Sequence, residues 1–536
     1  MSNIGMDGKR LWLYTYLLLF AVFCTSCVEK HVSTKKENIL KIGTVKGGLK
    51  SASLLGDTYL SLFAQISNPP LMTLNAHGEL EGLVVEKVVV SEDNTIWTFF
   101  LDPNLYWSDG TKVAAEDATF SIGLISEVAP HARWIQEIIS KASVIDDNAF
   151  ILELHKPYSR LDFDLATNNL IPKHIWKKIT DPVRHIEEKD IVGCGPFFIK
   201  KIDLNAGVIS FRNNPYWKGT QPELDGIELH LYNNIDVLSL ALERGDADTY
   251  YRYASSYPYP NIKRLEATEN FDFIEEPHLG VKFLGFNLAR KPMSDIRFRK
   301  AVSYAIDYEE IIKLDTLGYG EIPTRGFIPR IMPDFKETAT FEHDLEKAKY
   351  LLDEAGYIDR DGNGFRETLD AKEMKLSVLI SKDYVRLAEL VKDYIKEAGI
   401  ETQLKTVDYN TWISMKDKDD YDLVVSRTSP WGMFMHANWA TGYFDARRTG
   451  EGVLHNVEDP QFLKLCDDIL STKNEEKLKE YASRVQDYYA QYLPAVALCW
   501  SRSIIPYQKK YSGWSPNPLY GIYNIQNFLN LRIANH

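Results

Sequence analysis

The chain is short of apolar runs, poor in cysteine and without a surplus of basic residues. The run Leu11 to Phe23 covers 13 mostly apolar residues, whereas a bilayer core about 30 Å thick needs roughly 20 in a helix. A mean hydropathy of −0.27 leaves no room for many spans. Lys plus Arg number 62 against 75 Asp plus Glu, a net charge of −13. A protein that tracks phosphates wants a basic stripe, so this balance argues against a nucleic-acid partner. There are five cysteines in 536 residues. Cys194, Cys466 and Cys499 lie far apart, without C-x-x-C or zinc spacing, so they form no metal or disulfide framework. One disulfide plus a free thiol, or three buried thiols, both remain open. Catalytic signatures are absent too. No G-x-S-x-G elbow or H-E-x-x-H is present, and the 12 histidines show no paired ligand spacing. Gly43 to Ser51 falls one register short of a phosphate-binding loop, because Leu49 stands where the lysine belongs, and it reads as a turn.

What is there is a composition for packing: 45% hydrophobic, 26% charged and 12% aromatic. At about 150 residues per domain the length allows three to four domains, or two large ones. Lys9-Arg10 followed by the apolar run reads as an export signal. Cys24-Thr25-Ser26-Cys27 resembles a bacterial lipobox, with Cys27 as the lipidated residue, although Cys24 is unusual three places before the cut. The alternatives are an ordinary signal cut nearby or an uncleaved anchor. Acyl chains on Cys27 would hold the protein on a membrane surface without a span. Residues 1–26 are then the signal and 27–38 a polar tether.

Beyond the tether, short strands interleave with long helices, with no internal repeat. Strands are expected at Ile39 to Val45, Trp97 to Leu101, Phe197 to Ile202, Phe283 to Asn287 and Tyr421 to Val425, and a hairpin turns at Asp146-Asp147-Asn148. Helices are expected at Ala115 to Ser126, Ile296 to Ala305, Tyr308 to Leu314, Leu345 to Ala355, Tyr384 to Ala398 and Glu475 to Tyr489. Interleaving of this kind argues for α/β or α+β layers.

Four stretches then resemble one family. They are Trp97-Thr98-Phe99 with Trp107-Ser108-Asp109-Gly110 and Ala115-Glu116-Asp117; Gly193-Cys194-Gly195-Pro196-Phe197; Asn287 with Pro292 to Arg297, Ala301 and Ala305-Ile306-Asp307; and Asp344 to Gly356. In this order they resemble the family 5 extracellular solute-binding proteins, the peptide-, nickel- and oligosaccharide-type receptors of ABC importers. The resemblance implies an α/β, two-lobed periplasmic-binding-protein fold of the class II type, with an additional domain inserted in the first lobe. Lobe I is expected at 39–60, 190–283 and 497–536, its extra domain at 61–189, and lobe II at 284–496. It also implies a ligand enclosed between the lobes and a membrane permease as partner.

Candidate ligand contacts follow. Arg427 and Trp431 leave the C-terminal end of a buried-type strand, where α/β sheets place ligands. Arg427 suits a bidentate pair with a carboxylate, or else a structural ion pair; Trp431 suits stacking or core. Peptide-binding relatives carry an acidic D-Y-x-D-P-like stretch here, and this chain has Phe434-Met435. Arg427-Thr428 and His436-Ala437 resemble nickel-binding relatives only in part. Arg133, within His131-Ala132-Arg133-Trp134, and Tyr251-Arg252, after the turn Gly245 to Asp248, occupy stretches that the family turns toward the cleft; both also suit ordinary packing. Asp359, Asp361, Asn363 and Asp370 fit the spacing of a calcium loop, but Asp is short for the twelfth ligand, so a plain turn is the favoured reading.

The sequence therefore reads as a lipid-anchored, monomeric receptor of the cell envelope, facing the periplasm or exterior. It takes an oligopeptide or similar polar solute, with no cofactor, no catalysis and no nucleic acid. The rivals are a receptor for a metal chelate or oligosaccharide, and a secreted hydrolase with an unrecognised carboxylate pair.

Overall fold

Ala495–Gln508 is a 14-residue strand, buried almost throughout, that runs through both halves of the molecule. Such a continuous apolar run marks a strand covered on both faces. The computed structural model describes residues 37–534 except 47–54, 56–64, 76, 78, 130, 131, 133, 167, 186, 253, 254, 278, 279, 333, 429–442, 449–453, 455 and 517–520. Residues 39–536 form one unit. Among the described residues the largest sheet has twelve strands.

In one half of this sheet, Ile39–Val45 lies parallel to Gly226–Tyr232 and Thr249–Tyr250. Val208–Asn213 and Phe197–Asp203 extend that half antiparallel. In the other half, Lys375–Ser381 lies parallel to Glu401–Val407 and Leu423–Arg427, and Lys282–Phe286 follows antiparallel. The long strand joins the halves. Its residues 502–508 pair with Phe271–Pro277, and residues 495–499 pair with the Lys282 strand. Each half has its own core, one including Leu40, Phe211 and Phe271, the other including Phe298, Leu379 and Val424.

A separate antiparallel sheet orders Val85–Val90, Ile96–Leu101, Ala149–Leu154 and Ile139–Asp146 side by side, and the helix Ala115–Val128 packs on its last two strands. This region also meets the second half. Ser159 N donates to Leu470 O at 2.8 Å, and Arg160 Nη2 lies 3.1 Å from Glu475 Oε1.

Most expected elements are present within two or three residues. The strand near Tyr421 begins at Leu423 instead. Gly43 lies inside the first strand, so any turn starts after Val45. Cys194, Cys466 and Cys499 are all free and buried, which removes the disulfide alternative.

The motifs have physical reasons. Trp107 is fully buried, and its Nε1 donates to Asp117 Oδ2 at 3.2 Å. The same Oδ2 accepts Ala114 N at 3.0 Å, and Oδ1 accepts Lys173 N at 2.8 Å. One carboxylate thus caps a helix and ties three segments together. In Gly193-Cys194-Gly195, a Cβ on Gly193 would stand 2.4 Å from Ser67 O, and one on Gly195 2.3 Å from Ile66 O. Backbone presses on backbone there, and only glycine fits. Asn287 holds the next motif by donating from Nδ2 to Tyr421 O at 2.9 Å.

Asp117→Ala removes a cap and leaves two donors without an acceptor, so the protein should lose about 3 kcal/mol. Urea unfolding should show a lower midpoint at unchanged slope. A loss confined to the few tenths typical of a surface change would refute the three-way role.

Candidate functional site

Three strand ends meet where the halves face each other. From the first half, Tyr251 N donates to Gly43 O at 2.8 Å, which fixes the chain just beyond Tyr250. The Tyr251 ring stands edge-on to Tyr523, centroids 4.6 Å apart, and Tyr250 stands edge-on to Tyr257 at 5.4 Å. Arg252 follows, exposed, with Nη2 3.5 Å from Asp383 Oδ2. Asp383 sits on the turn after Lys375–Ser381, so this ion pair joins the two halves.

From the second half, Leu423–Arg427 ends with Arg427 opposite Lys282 in the sheet. Thr428 closes the strand end: its N donates to Val281 O at 2.9 Å, and its Oγ1 accepts Val281 N at 2.8 Å. Lys282 Nζ is 2.5 Å from Asp315 Oδ2 and is thereby neutralised. Burial pushes the Tyr250 hydroxyl up, and the guanidinia of Arg252 and Arg427 draw it partly back.

The crossing between the halves carries charged contacts of its own. Arg502 bridges it, with Nη1 2.5 Å from Glu275 Oε1 and Nη2 3.1 Å from Glu321 Oε1. Glu276, the next residue along, has an Oε1 that is buried without a hydrogen-bond partner. Burial alone pushes its carboxyl up to about 7.

Of the residues singled out from sequence, the structure brings Tyr251, Arg252 and Arg427 to one region. Arg133, Trp431, His436 and Cys27 lie outside the described residues. The calcium-like loop closes on itself. Asp359 accepts Gly362 N at 2.8 Å and Gly364 N at 2.9 Å, and Asp361 accepts Asn363 N at 3.1 Å and Asn363 Nδ2 at 3.0 Å. Asp359 and Asp361 do approach a third acid within 4.8 Å, but it is Glu367. Asp370 turns to Lys372 and Thr368 instead, 2.7 Å from each, which corrects its place as twelfth ligand. Asp383, Glu276 and Tyr523 carry no motif, and sequence reasoning passed over them. The one available signal was an acidic pair, Glu275-Glu276, at the end of a strand.

Comparison with known proteins gives the frame. Residues 79–450 match the model of bacterial extracellular solute-binding proteins, family 5 Middle. The dipeptide-binding protein of Escherichia coli (strain K12) is 24% identical over 467 residues, 81% of this chain and 84% of its own. The oligopeptide-binding protein OppA of Bacillus subtilis (strain 168) is 22% identical over 530 residues, 91% of this chain and 94% of its own. Among solved structures, oligopeptide-binding AppA from Bacillus subtilis, bound to a nonapeptide, superposes with a TM-score of 0.76 at 18% identity, covering 92% of this chain and 99% of AppA. NikZ from Campylobacter jejuni, with Ni(L-His), gives the same score, identity and coverage. The fold is thus the two-lobed α/β fold of these proteins. By sequence and by fold, the chain is a non-enzymatic binding protein that belongs to the bacterial extracellular solute-binding proteins, family 5.

Proposed function

We propose that this protein is the lipid-anchored receptor of an ABC importer, capturing an oligopeptide or a polar solute of similar size between its lobes and presenting it to a permease. The observation that carries the reading is the Arg252–Asp383 ion pair that joins the two halves beside Tyr251, with Arg427 at a strand end of the second half. Guanidinia beside buried aromatic rings suit a ligand with carboxylate or carbonyl oxygens and an apolar part. Two crossing connections at one edge of that region suit a hinge that closes over the ligand. Relatives named for dipeptides and oligopeptides support the peptide class. In this reading lobe I comprises 39–60, 190–283 and 497–536, its extra domain 61–189, and lobe II 284–496. Arg427, Tyr251 and Arg252 act as ligand contacts, joined by Trp431, Arg133 and His436. The receptor works as a monomer at the outer surface of the cell envelope, held by acyl chains on Cys27. No helix among the described residues is long and apolar enough to cross a membrane.

The metal-chelate reading draws on the partial likeness around His436 and on the Ni(L-His) complex of NikZ. Mass spectrometry of ligand co-purified with the protein separates it from the peptide reading, since one yields peptide masses and the other a nickel isotope pattern.

Arg427→Ala should weaken capture of the co-purified ligand about ten- to a hundredfold, the equivalent of roughly 1.5–3 kcal/mol for a charged hydrogen bond. The melting temperature should hardly change. Calorimetric titration beside a melting curve checks this; lost stability with unchanged affinity would make Arg427 structural. Cys27→Ala should release the protein from the membrane fraction or leave it as precursor. Palmitate labelling that persists in the variant would refute the anchor.

A further inference from the structure

We infer that the turn between the helices Pro460–Ser471 and Glu475–Tyr492 is a clasp, which docks on the region of the separate four-stranded sheet and holds the two halves shut. The inference rests on the receptor reading above. It adds the contact that sets how long a ligand is kept, through residues other than those proposed to touch it.

The four-stranded sheet belongs with the first half, because Trp97, Phe99 and Leu152 lie in the same core as Leu40 and Phe211. A contact from this region to the helices at 460–492 is therefore a contact between the halves. It is made by one short stretch of the second half. A helix leaves its last carbonyls without partners inside the helix, and here the other half supplies them. Leu470 O accepts Ser159 N at 2.8 Å and Ser159 Oγ at 3.0 Å, and Ser471 O accepts Asn94 Nδ2 at 3.4 Å. Lys473 Nζ donates to Ser91 O. Glu475, in the first turn of the next helix, takes Arg160 Nη2 at 3.1 Å. The receiving side is the turn Ser91 to Asn94, between two strands of the sheet, and Ser159-Arg160 just ahead of the helix Leu161–Leu165. Beside these bonds, Leu74 and Phe163 pack into the second core.

This contact is built to part. Ser471, Lys473 and Glu475 are exposed, so water can replace their partners once the halves separate, and neither sheet loses a strand pairing. Two apolar side chains give the seat, and polar bonds to helix-end carbonyls give the register. The crossing strands hold the halves together in every state, whereas these bonds exist only while the halves are close. A contact confined to the ligand-retaining state raises apparent affinity by raising the fraction of protein in that state. Its loss shows in release more than in capture.

The test uses the full-length protein with a synthetic tetrapeptide library as probe. It reads hydrogen exchange at the Ser159 amide and the rate of peptide release. In wild type, exchange at Ser159 should slow at least tenfold when the library saturates the protein. Lys473→Ala combined with Glu475→Gln changes two exposed side chains. It should speed exchange at Ser159 and peptide release at least threefold each, with association rate and melting temperature unchanged. Exchange at Ser159 that is equally slow with and without bound peptide makes the contact permanent and overturns the clasp. Release unchanged in the double variant overturns it too. If native mass spectrometry finds no peptide retained, the peptide reading falls by itself. The clasp is then decided on the ligand-free protein, where the double variant must still speed exchange at Ser159 threefold, and unaltered exchange rejects it.

Discussion

The structure depends on one strand that two lobes must share. Ala495–Gln508 completes the sheet of the second half with its first residues and that of the first half with its last. Its interior position demands an apolar sequence, and Ala495 to Trp500 and Ile504-Ile505 provide it. Arg502, between those stretches, is the one exposed residue of the strand. It sits at the crossing and reaches an acid on either side, Glu275 and Glu321. The two halves are therefore joined through adjacent residues of a single segment.

Much of this was legible beforehand, for reasons that differ by element. The helix Leu345–Glu354 announces itself through Asp344, whose carboxylate accepts Lys347 N, and through Gly356 at φ +89°. Asp117 and the glycines beside Cys194 stand out because each obeys a contact that only its residue type satisfies. The site was harder. Arg427 is singled out because strand C-termini are where such sheets bind, and Arg252 because it follows a turn in a stretch that the family resemblance places toward the ligand. Asp383 and Glu276 were missed because their meaning lies in what faces them across the fold, and pairing over such separations leaves no local period. The calcium-like spacing reads as a plain turn, and local contacts account for its side chains. The side chains follow the pattern, but backbone amides satisfy Asp359 and Asp361, and Asp370 has other partners.

The two halves also touch away from the crossing, in two different manners. Arg252 and Asp383 form an exposed pair, a contact that contributes little and weakens with salt. Ser159 and Leu470 meet through backbone, with Leu74 and Phe163 packed into the second core. The first contact is easily exchanged for a ligand; the second is closer to an interior. Movement of one lobe against the other would be resisted unequally at these two places.

The shared strand also sets an order of assembly. The Tyr511 hydroxyl donates to Ile39 O across 472 positions, and Thr249 in the first half pairs with Tyr507. The sheet that begins with the chain's first strand therefore stays open until almost the last residue has been made. Folding that waits on such distant partners is slow. The two lobes are therefore completed together, when the segment they share closes both sheets.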